Sequence, residues 1–181
     1  MAATDRIESP PMTKSSFPPV ADLDTRVLIL GSLPGEVSLA REQYYAHPQN
    51  QFWRLIGSVI GDELARLEYR DRLIALRSAG VGLWDVILSA DRVGSLDTAI
   101  RRHEPNALAA FTASLPSLRV VAYNGGRASA IGRKSLGPDP GFEQITLPSS
   151  SPAHTLPFER KEAEWLWLRA FLDPRASTAS R

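Results

Sequence analysis

Most of the side chains that could do chemistry lie in two polar loops that are far apart in the sequence. The first loop, GSLPGEVS at residues 31–38, runs into QYYAHPQNQFW at residues 43–53, and the second is LPSSSPAHT at residues 147–155. Each loop follows a short β-forming run, at residues 27–30 and 144–147 respectively. Because open α/β folds bind ligands at the carboxyl edge of a parallel sheet, the two loops are predicted to meet at one site there.

Small and polar residues at the strand ends could line a flat ligand. Gly31 and Ser32 are candidates, because glycine permits close approach of a ligand to the backbone. The glycine and proline content does not decide the matter, since a simple tight turn would also need the Pro34-Gly35 pair. Asn124 follows the apolar run at residues 118–123 and could bond a purine edge in the way asparagine reads adenine. Turn formation with the two glycines after it explains Asn124 equally well.

The composition excludes several kinds of site. The chain has no cysteine, so it has no disulfide and no thiolate-held zinc or iron–sulfur cluster. Its three histidines, His47, His103 and His154, lack the spacing of a metal-binding motif. Neither a metal nor another cofactor is therefore expected.

The charge distribution leaves the kind of partner open. The net charge of +1 neither requires nor forbids a polyanion. Arg127, together with Arg133 and Lys134, could contact DNA phosphates, or these residues could form a solvated helix face. Since no apolar run approaches the ~18 residues of a membrane span and the N-terminus lacks a hydrophobic signal segment, we expect a cytoplasmic monomer without membrane contact.

Strand and helix patterns alternate along the chain, which favours a three-layer α/β/α sandwich with a short central parallel sheet. At 181 residues with 43% hydrophobic content, the chain is predicted to form one domain over residues 25–173. Residues 1–24 are expected to form an extended, partly disordered arm, whose end could pack on the domain, and residues 174–181 a flexible tail. The predicted strands cover residues 26–30, 81–88, 118–123 and 144–147. Three predicted helices cover residues 62–77, 104–114 and 158–172, and two more begin at residues 50 and 127.

The two loops, in this order and each after a strand, resemble the uracil-DNA glycosylase superfamily, and most closely its hypoxanthine (deoxyinosine) DNA glycosylase branch. The resemblance extends from about residue 17 to residue 172. It implies an enzyme of base excision repair, which flips a deaminated base, hypoxanthine first, out of DNA and hydrolyses its N-glycosidic bond. It also implies that Gly31, Ser32 and Leu33 line the base pocket.

The resemblance implies roles for particular side chains. It places the family's base-stacking aromatic residue at Tyr45, which could otherwise be a hydrophobic plug under the loop. Many members carry Asp or Asn where this chain has Leu33, and leucine cannot orient water. The deoxyinosine branch shares that departure and is thought to recruit a downstream asparagine, for which Asn50 is the candidate. Asn50 could also be the N-cap of the following helix.

In the second loop, the resemblance points to contacts with the flipped nucleotide. His154 would stabilise negative charge on the departing base, or it is simply a surface histidine. In relatives this loop also inserts a wedge into the DNA stack, a role that Ala153 or its neighbours could fill. The remaining DNA contacts are expected from Ser149, Ser150, Ser151 and Pro152.

Other functions remain open from the residues alone. A uracil or mismatch-specific uracil glycosylase is the nearest alternative. A non-catalytic nucleotide- or DNA-binding domain is another, although the chain has neither GxGxxG after a strand nor GxxxxGK[ST]. A hydrolase with a Ser150–His154 pair would lack the GxSxG elbow. The lysines Lys14, Lys134 and Lys161 lie outside both motifs, so no amine is evident for a lyase reaction. The enzyme is therefore predicted to be monofunctional and to leave an abasic site.

Overall fold

A computed structural model of the chain describes residues 13–173, and its centre is a four-stranded parallel sheet. The strands are β2 (Val27–Gly31), β3 (Val81–Asp85), β6 (Val120–Asn124) and β7 (Glu143–Leu147), in the order β3-β2-β6-β7. In β2, the side chains of residues 27–30 are all fully buried. An uninterrupted apolar run suits a strand that is covered on both faces.

Helices cover both faces of this sheet. One core contains Val27 and Ile29 of β2 and packs against α2 (Phe52–Ile60), α3 (Tyr69–Ser78) and α6 (Phe158–Trp165). The other contains Leu28 and Leu30 and packs against α4 (Leu108–Ala113) and α5 (Gly126–Leu136). The predicted three-layer α/β/α architecture is therefore confirmed.

A second sheet, which the sequence did not predict, lies beside the first. It is antiparallel, in the order β1-β4-β5, and consists of β1 (Thr13–Ser15), β4 (Ile87–Asp91) and β5 (Arg101–Pro105). The predicted strand at 81–88 is therefore two strands in different sheets. The predicted helix at 104–114 was wrong at its start, because the residue before Pro105 is disfavoured in a helix and α4 begins only at Leu108.

Part of the expected N-terminal arm packs on the domain. Residues 1–12 lie outside the described part of the chain, but Thr13–Ser15 pairs with β4. Phe17 packs edge-on against Tyr44 with ring centroids 5.2 Å apart, and the Val20 amide donates to the Leu83 carbonyl over 2.9 Å. Residues 174–181, the predicted tail, also lie outside the described residues.

The remaining elements are short. Helix α1 covers Glu36–Arg41, and α7 covers Arg169–Leu172. The predicted helix at 62–77 is a 3₁₀ turn at Leu64–Arg66 followed by α3, and the predicted helix at 158–172 is broken by a 3₁₀ turn at Leu166–Leu168. Within residues 13–173, no helix has both the length and the apolar character needed to cross a membrane.

The strand order identifies one edge of the parallel sheet as the expected ligand crevice. The strands β3 and β6 lie on opposite sides of β2. The order in which the chain adds strands across the sheet therefore reverses between β3 and β6. In open α/β sheets, the carboxyl ends of the strands at such a point form the ligand-binding crevice. Gly31 ends β2 and Asn124 ends β6, so the loops that follow these residues meet at this place.

Candidate active site

A glycine, a carboxylate and a phenol meet at the end of β2. Gly31 pairs in register with Asp85, the last residue of β3. A Cβ atom on Gly31 would lie 2.7 Å from Asp85 Oδ1 and 3.0 Å from Tyr45 Oη. Only glycine at position 31 therefore lets both polar groups lie over the strand end.

Asp85 is the most perturbed acid of this site. Its side chain is buried, and its Oδ2 atom has no hydrogen-bond partner among the described residues. Burial raises the pKa of Asp85 to about 7; the negative charge of Asp97 contributes to the increase, and the positive charge of Arg92 opposes it. A desolvated carboxyl in a ligand crevice is a candidate for chemistry.

Tyr45 presents a second unused polar group. Its hydroxyl is buried without a hydrogen-bond partner in residues 13–173. Burial raises the pKa of Tyr45, and the charge of Asp85 raises it further. A polar contact with Asn124 lowers this pKa, although the two side chains do not reach hydrogen-bond geometry. Buried polar atoms without a partner are rare in native proteins, and they indicate a place for a ligand or a water molecule.

The ring of Tyr45 is held against the core. It stacks on Phe52, with ring centroids 3.8 Å apart and planes 12° apart, and Phe52 is fully buried. Tyr45 has φ 54°, in the left-handed region, which is unusual for a non-glycine residue. Packing and backbone conformation together fix this ring as one wall of the crevice.

Asn50 joins the first loop to α2. The Asn50 side-chain Oδ1 accepts from the Phe52 backbone amide over 2.9 Å, and the Asn50 backbone amide donates to the His47 carbonyl over 2.9 Å. Its Nδ2 bonds to no other residue of the described chain. The helix N-cap is Gln51, so Asn50 lies one residue before it. His47 is exposed, and its Nδ1 accepts from the Gln49 amide over 3.2 Å, which closes the loop.

Asn124 and Ser150 bind one another, rather than facing solvent. Asn124 Nδ2 donates to Ser150 Oγ over 2.9 Å, and the Ser150 amide donates to Asn124 Oδ1 over 2.8 Å. Ser150 is fully buried, and its carbonyl accepts from the Gln51 amide over 3.0 Å. The Asn124 side chain therefore ties the second loop to the end of β6, and the Ser150 carbonyl joins this loop to the first. The base contact predicted for Asn124 and the DNA contact predicted for Ser150 remain predictions.

The rest of the second loop forms a compact turn. Ser149 Oγ accepts from the Ser151 amide and Ser151 Oγ accepts from the Ala153 amide, each over 3.2 Å. The Ser151 carbonyl accepts from the His154 amide over 3.1 Å. The side chains of Pro152, Ala153 and His154 are exposed, so the tip of this turn projects from the crevice.

Two side chains of α6 support this turn from below. Trp165 Nε1 donates to the Pro148 carbonyl over 3.0 Å, and Lys161 Nζ contacts the Ser151 carbonyl over 3.5 Å. Lys161 is 1% exposed, and burial lowers its pKa. Although it lies outside both motifs in the sequence, this lysine therefore belongs to the base of the second loop.

The first loop rests on a buried arginine that sequence reasoning missed. Arg92, which is 2% exposed, donates to the carbonyls of Leu33, over 3.2 Å, and Pro34. Ser32 Oγ donates to Asp97 Oδ1 over 2.6 Å. The side chain of Leu33 is itself buried in the core, so it cannot reach a water molecule in the crevice.

The start of α5 borders the second loop. Gly125 has φ +104°, and a Cβ atom there would lie 3.1 Å from Ser149 Cβ. Arg127 is exposed two residues later, in the first turn of α5. The amino end of a helix and an exposed guanidinium favour an anion at this place. No cluster of three or more metal-binding side chains occurs among residues 13–173.

Comparison with known proteins shows which family the chain belongs to. Residues 18–173 match the Uracil DNA glycosylase superfamily. The chain belongs to this superfamily. It is 42% identical over 159 residues to a Hypoxanthine DNA glycosylase of Methanosarcina barkeri (strain Fusaro / DSM 804), and the match covers 85% of this chain and 96% of that protein.

Two further relatives agree with this membership. A Hypoxanthine DNA glycosylase of Methanosarcina acetivorans is 40% identical over 154 residues, with 85% of this chain and 96% of the relative covered. The solution NMR structure of a Methanosarcina acetivorans protein, provisionally assigned as a uracil DNA glycosylase, superposes with a TM-score of 0.79 at 38% identity, covering 89% and 99% of the two chains. The family resemblance inferred from the two loops is confirmed.

Proposed function

We propose that this chain is a monofunctional DNA glycosylase that hydrolyses the N-glycosidic bond of hypoxanthine in DNA and leaves an abasic site. Membership of the superfamily supports a DNA glycosylase that acts on deaminated bases. Two relatives at 42% and 40% identity are named Hypoxanthine DNA glycosylase, which favours hypoxanthine over uracil. The proposed reaction needs no cofactor.

The observation that carries the proposal is the buried carboxyl of Asp85 beside Tyr45. A neutral carboxyl group offers one donor and one acceptor side by side. The edge of hypoxanthine offers the complementary pair, O6 as acceptor and N1–H as donor. Because the base leaves with the bonding electrons, negative charge develops on its lactam group. A protonated Asp85 that donates to O6 stabilises this charge, whereas an ionised one opposes it.

Tyr45 and Phe52 form the stacking surface in this proposal. Phe52 covers one face of the Tyr45 ring, so the flipped base stacks on the opposite face. Since Phe52 belongs to the core, the stacking surface is in place before DNA arrives. Such preorganisation avoids the cost of ordering the ring during the reaction.

Asn50 is proposed to position the attacking water. Its Oδ1 retains a second lone pair beside the bond from the Phe52 amide, and Nδ2 is available as a donor. The water attacks C1′, its proton passes to solvent, and the base departs with the electrons of the glycosidic bond. The hydrogen bond from the Phe52 backbone amide to Asn50 Oδ1 is compatible with this role, because it fixes the orientation of the Asn50 side-chain amide.

The DNA backbone is proposed to cross the second loop and the start of α5. The hydroxyl groups of Ser149 and Ser151 retain their hydrogens for phosphate oxygens, because both hydroxyls act as acceptors within the loop. Arg127 supplies a positive charge to the same strand. His154, at the exposed tip, contacts the flipped nucleotide.

A lyase step is not part of the proposed reaction. Lys14 is paired with Glu36 over 3.0 Å, and Lys161 is 1% exposed beneath the second loop. Lys134 is exposed on α5, away from the strand ends that form the crevice. The abasic product therefore keeps its backbone intact until alkali is added.

The test uses end-labelled duplexes with a single deoxyinosine or a single deoxyuridine, incubated with the protein and EDTA and then treated with alkali. We expect scission at deoxyinosine only after alkali, and Asn50→Ala should lose most excision while DNA binding is retained. Gln49→Ala, at an exposed neighbouring position, is the matched control and should excise normally. Faster cleavage of deoxyuridine would overturn the substrate assignment, and normal rates in Asn50→Ala would overturn the role of Asn50.

A further inference from the structure

A turn next to the first loop exposes two large apolar side chains. Val93 is 76% exposed and Leu96 is 57% exposed, and they lie at the two ends of the four-residue turn 93–96, which we call the apolar tip. Single exposed apolar residues are common on proteins. Two on one short turn beside a ligand crevice indicate a surface that is covered by a partner.

The apolar tip is bonded to the first loop and cannot move away from it easily. The Gly94 carbonyl accepts from Lys14 Nζ over 2.7 Å, and Ser95 Oγ accepts from the Glu36 amide over 2.9 Å. The residues on either side of the tip, Arg92 and Asp97, hold the carbonyls of residues 33–34 and the hydroxyl of Ser32. Both apolar side chains therefore lie at the same edge of the molecule as Asp85 and Tyr45.

Duplex DNA is the partner that this position favours, and the inference rests on the proposed function in that respect. A flipped nucleotide stays linked to its neighbours on both sides, so the duplex must pass over the mouth of the crevice. Flipping also leaves a gap in the base stack, which apolar side chains of other proteins fill. At the tip of the second loop, Ala153 offers only a methyl group next to the polar His154.

We propose that Val93 and Leu96 insert into the base stack beside the flipped nucleotide, or into the adjoining minor groove, and hold the duplex open. The two branched side chains are larger than Ala153 and need no rearrangement to reach solvent. Both the base stack and the minor groove are features of a duplex, so neither contact is made with a single strand. The contribution of the apolar tip is therefore specific to duplex substrates.

The test compares the protein with the double variant Val93→Ser/Leu96→Ser. The control is Leu23→Ser, which changes a 68% exposed side chain close to the amino end of β2, at the opposite edge of the sheet. Binding is measured to a duplex and to a single strand that carry the same tetrahydrofuran abasic-site analogue, and excision is measured with deoxyinosine in both contexts. Thermal melting of each protein establishes that it is folded.

We expect the double variant to bind the duplex about tenfold more weakly and to excise from it about tenfold more slowly, with single-strand values unchanged. The control should match the unmodified protein throughout. Equal losses on duplex and single strand, or no loss on the duplex, would overturn the inference. If the unmodified protein excises no deoxyinosine but duplex binding still depends on the apolar tip, the proposed substrate fails and the inference stands.

Discussion

The proposed role of Asp85 makes a prediction about pH whose sign can be worked out. Burial raises its pKa to about 7, with Asp97 adding to the increase and Arg92 opposing it. Only the protonated carboxyl can donate to the base. The excision rate should therefore fall as pH rises through 7. Tyr45 Oη faces the same space but does not ionise in this range, since burial raises its pKa.

The size of the effect follows from the titration. For a pKa of about 7, the protonated fraction is about ten elevenths at pH 6 and about one eleventh at pH 8, so single-turnover excision should fall about tenfold between them. Asp85→Asn retains a donor and an acceptor and has no ionisation in this range. Its rate should therefore stay level from pH 6 to pH 8.

The assay is single-turnover excision from a deoxyinosine duplex, measured at constant ionic strength from pH 6 to pH 8 for both proteins. A rate that rises with pH and loses its pH dependence in Asp85→Asn would refute the reasoning, because it would make Asp85 a general base. The same fall with pH in both proteins would assign the titration to another group.

Stability supplies an independent readout of the same carboxyl. Because the folded-state pKa is raised above the ordinary value of 3.8, the folded protein binds more protons than the unfolded chain between about pH 4 and pH 7. The free energy of unfolding should therefore decrease as pH rises over this range, by about 4 kcal/mol at most. Asp85→Asn should remove this decrease and be more stable than the unmodified protein at pH 8, as measured by urea unfolding.

Substitutions at Gly31 and at Asn124 test the geometry of the crevice, each with a matched control. Gly31→Ala places a methyl group 2.7 Å from Asp85 Oδ1, so excision should fall by about 100-fold. Gly61→Asn is the control and should excise normally, because Gly61 lies at the carboxyl end of α2, meets nothing within 4 Å and has a left-handed conformation that asparagine tolerates. A normal rate in Gly31→Ala would contradict the close approach. Asn124→Ala leaves the buried Ser150 amide unpaired and should cost about 1–3 kcal/mol in urea unfolding, and Asn124→Asp should recover part of this because it retains Oδ1. A stability of Asn124→Ala equal to that of the unmodified protein would contradict the stabilising role of the hydrogen bonds between Asn124 and Ser150.

The sequence predicted the parallel strands well where burial is complete. In β2 and β6, every residue is buried, so the apolar runs are continuous and easily recognised. All of β5 is exposed, so Arg101–Pro105 shows no apolar alternation that would distinguish it from the start of a helix. The second sheet could therefore not be predicted from hydrophobic periodicity. Its strands are defined by backbone pairing between distant parts of the chain and not by a side-chain pattern.

The candidate site was predicted in outline, as two loops, but not in its buried polar groups. Asp85 appeared to be one residue inside a strand covering 81–88, and nothing in the sequence marks the end of β3 at this carboxylate. Arg92 contacts carbonyls nearly sixty residues away in the chain, and such pairing depends on the tertiary fold. For Asn124, the location was correctly anticipated, but the residue type alone does not say whether the amide faces a base or a neighbouring loop.

The two loops behave as one unit because buried polar groups tie each to the scaffold and one bond joins them. Arg92 fixes the first loop through its carbonyls, and Asn124 fixes the second through Ser150. The Gln51 amide, one residue after Asn50, donates to the Ser150 carbonyl, so the water-positioning candidate and the second loop share a support. In contrast, Asp85 Oδ2 and Tyr45 Oη have no hydrogen-bond partner among residues 13–173, and both side chains lie beside Gly31 at the end of β2. Unpaired buried groups destabilise the free protein. Under the proposed function, a flipped base that supplies the missing hydrogen bonds offsets this cost, so we expect these two groups to contribute to recognition of the nucleotide.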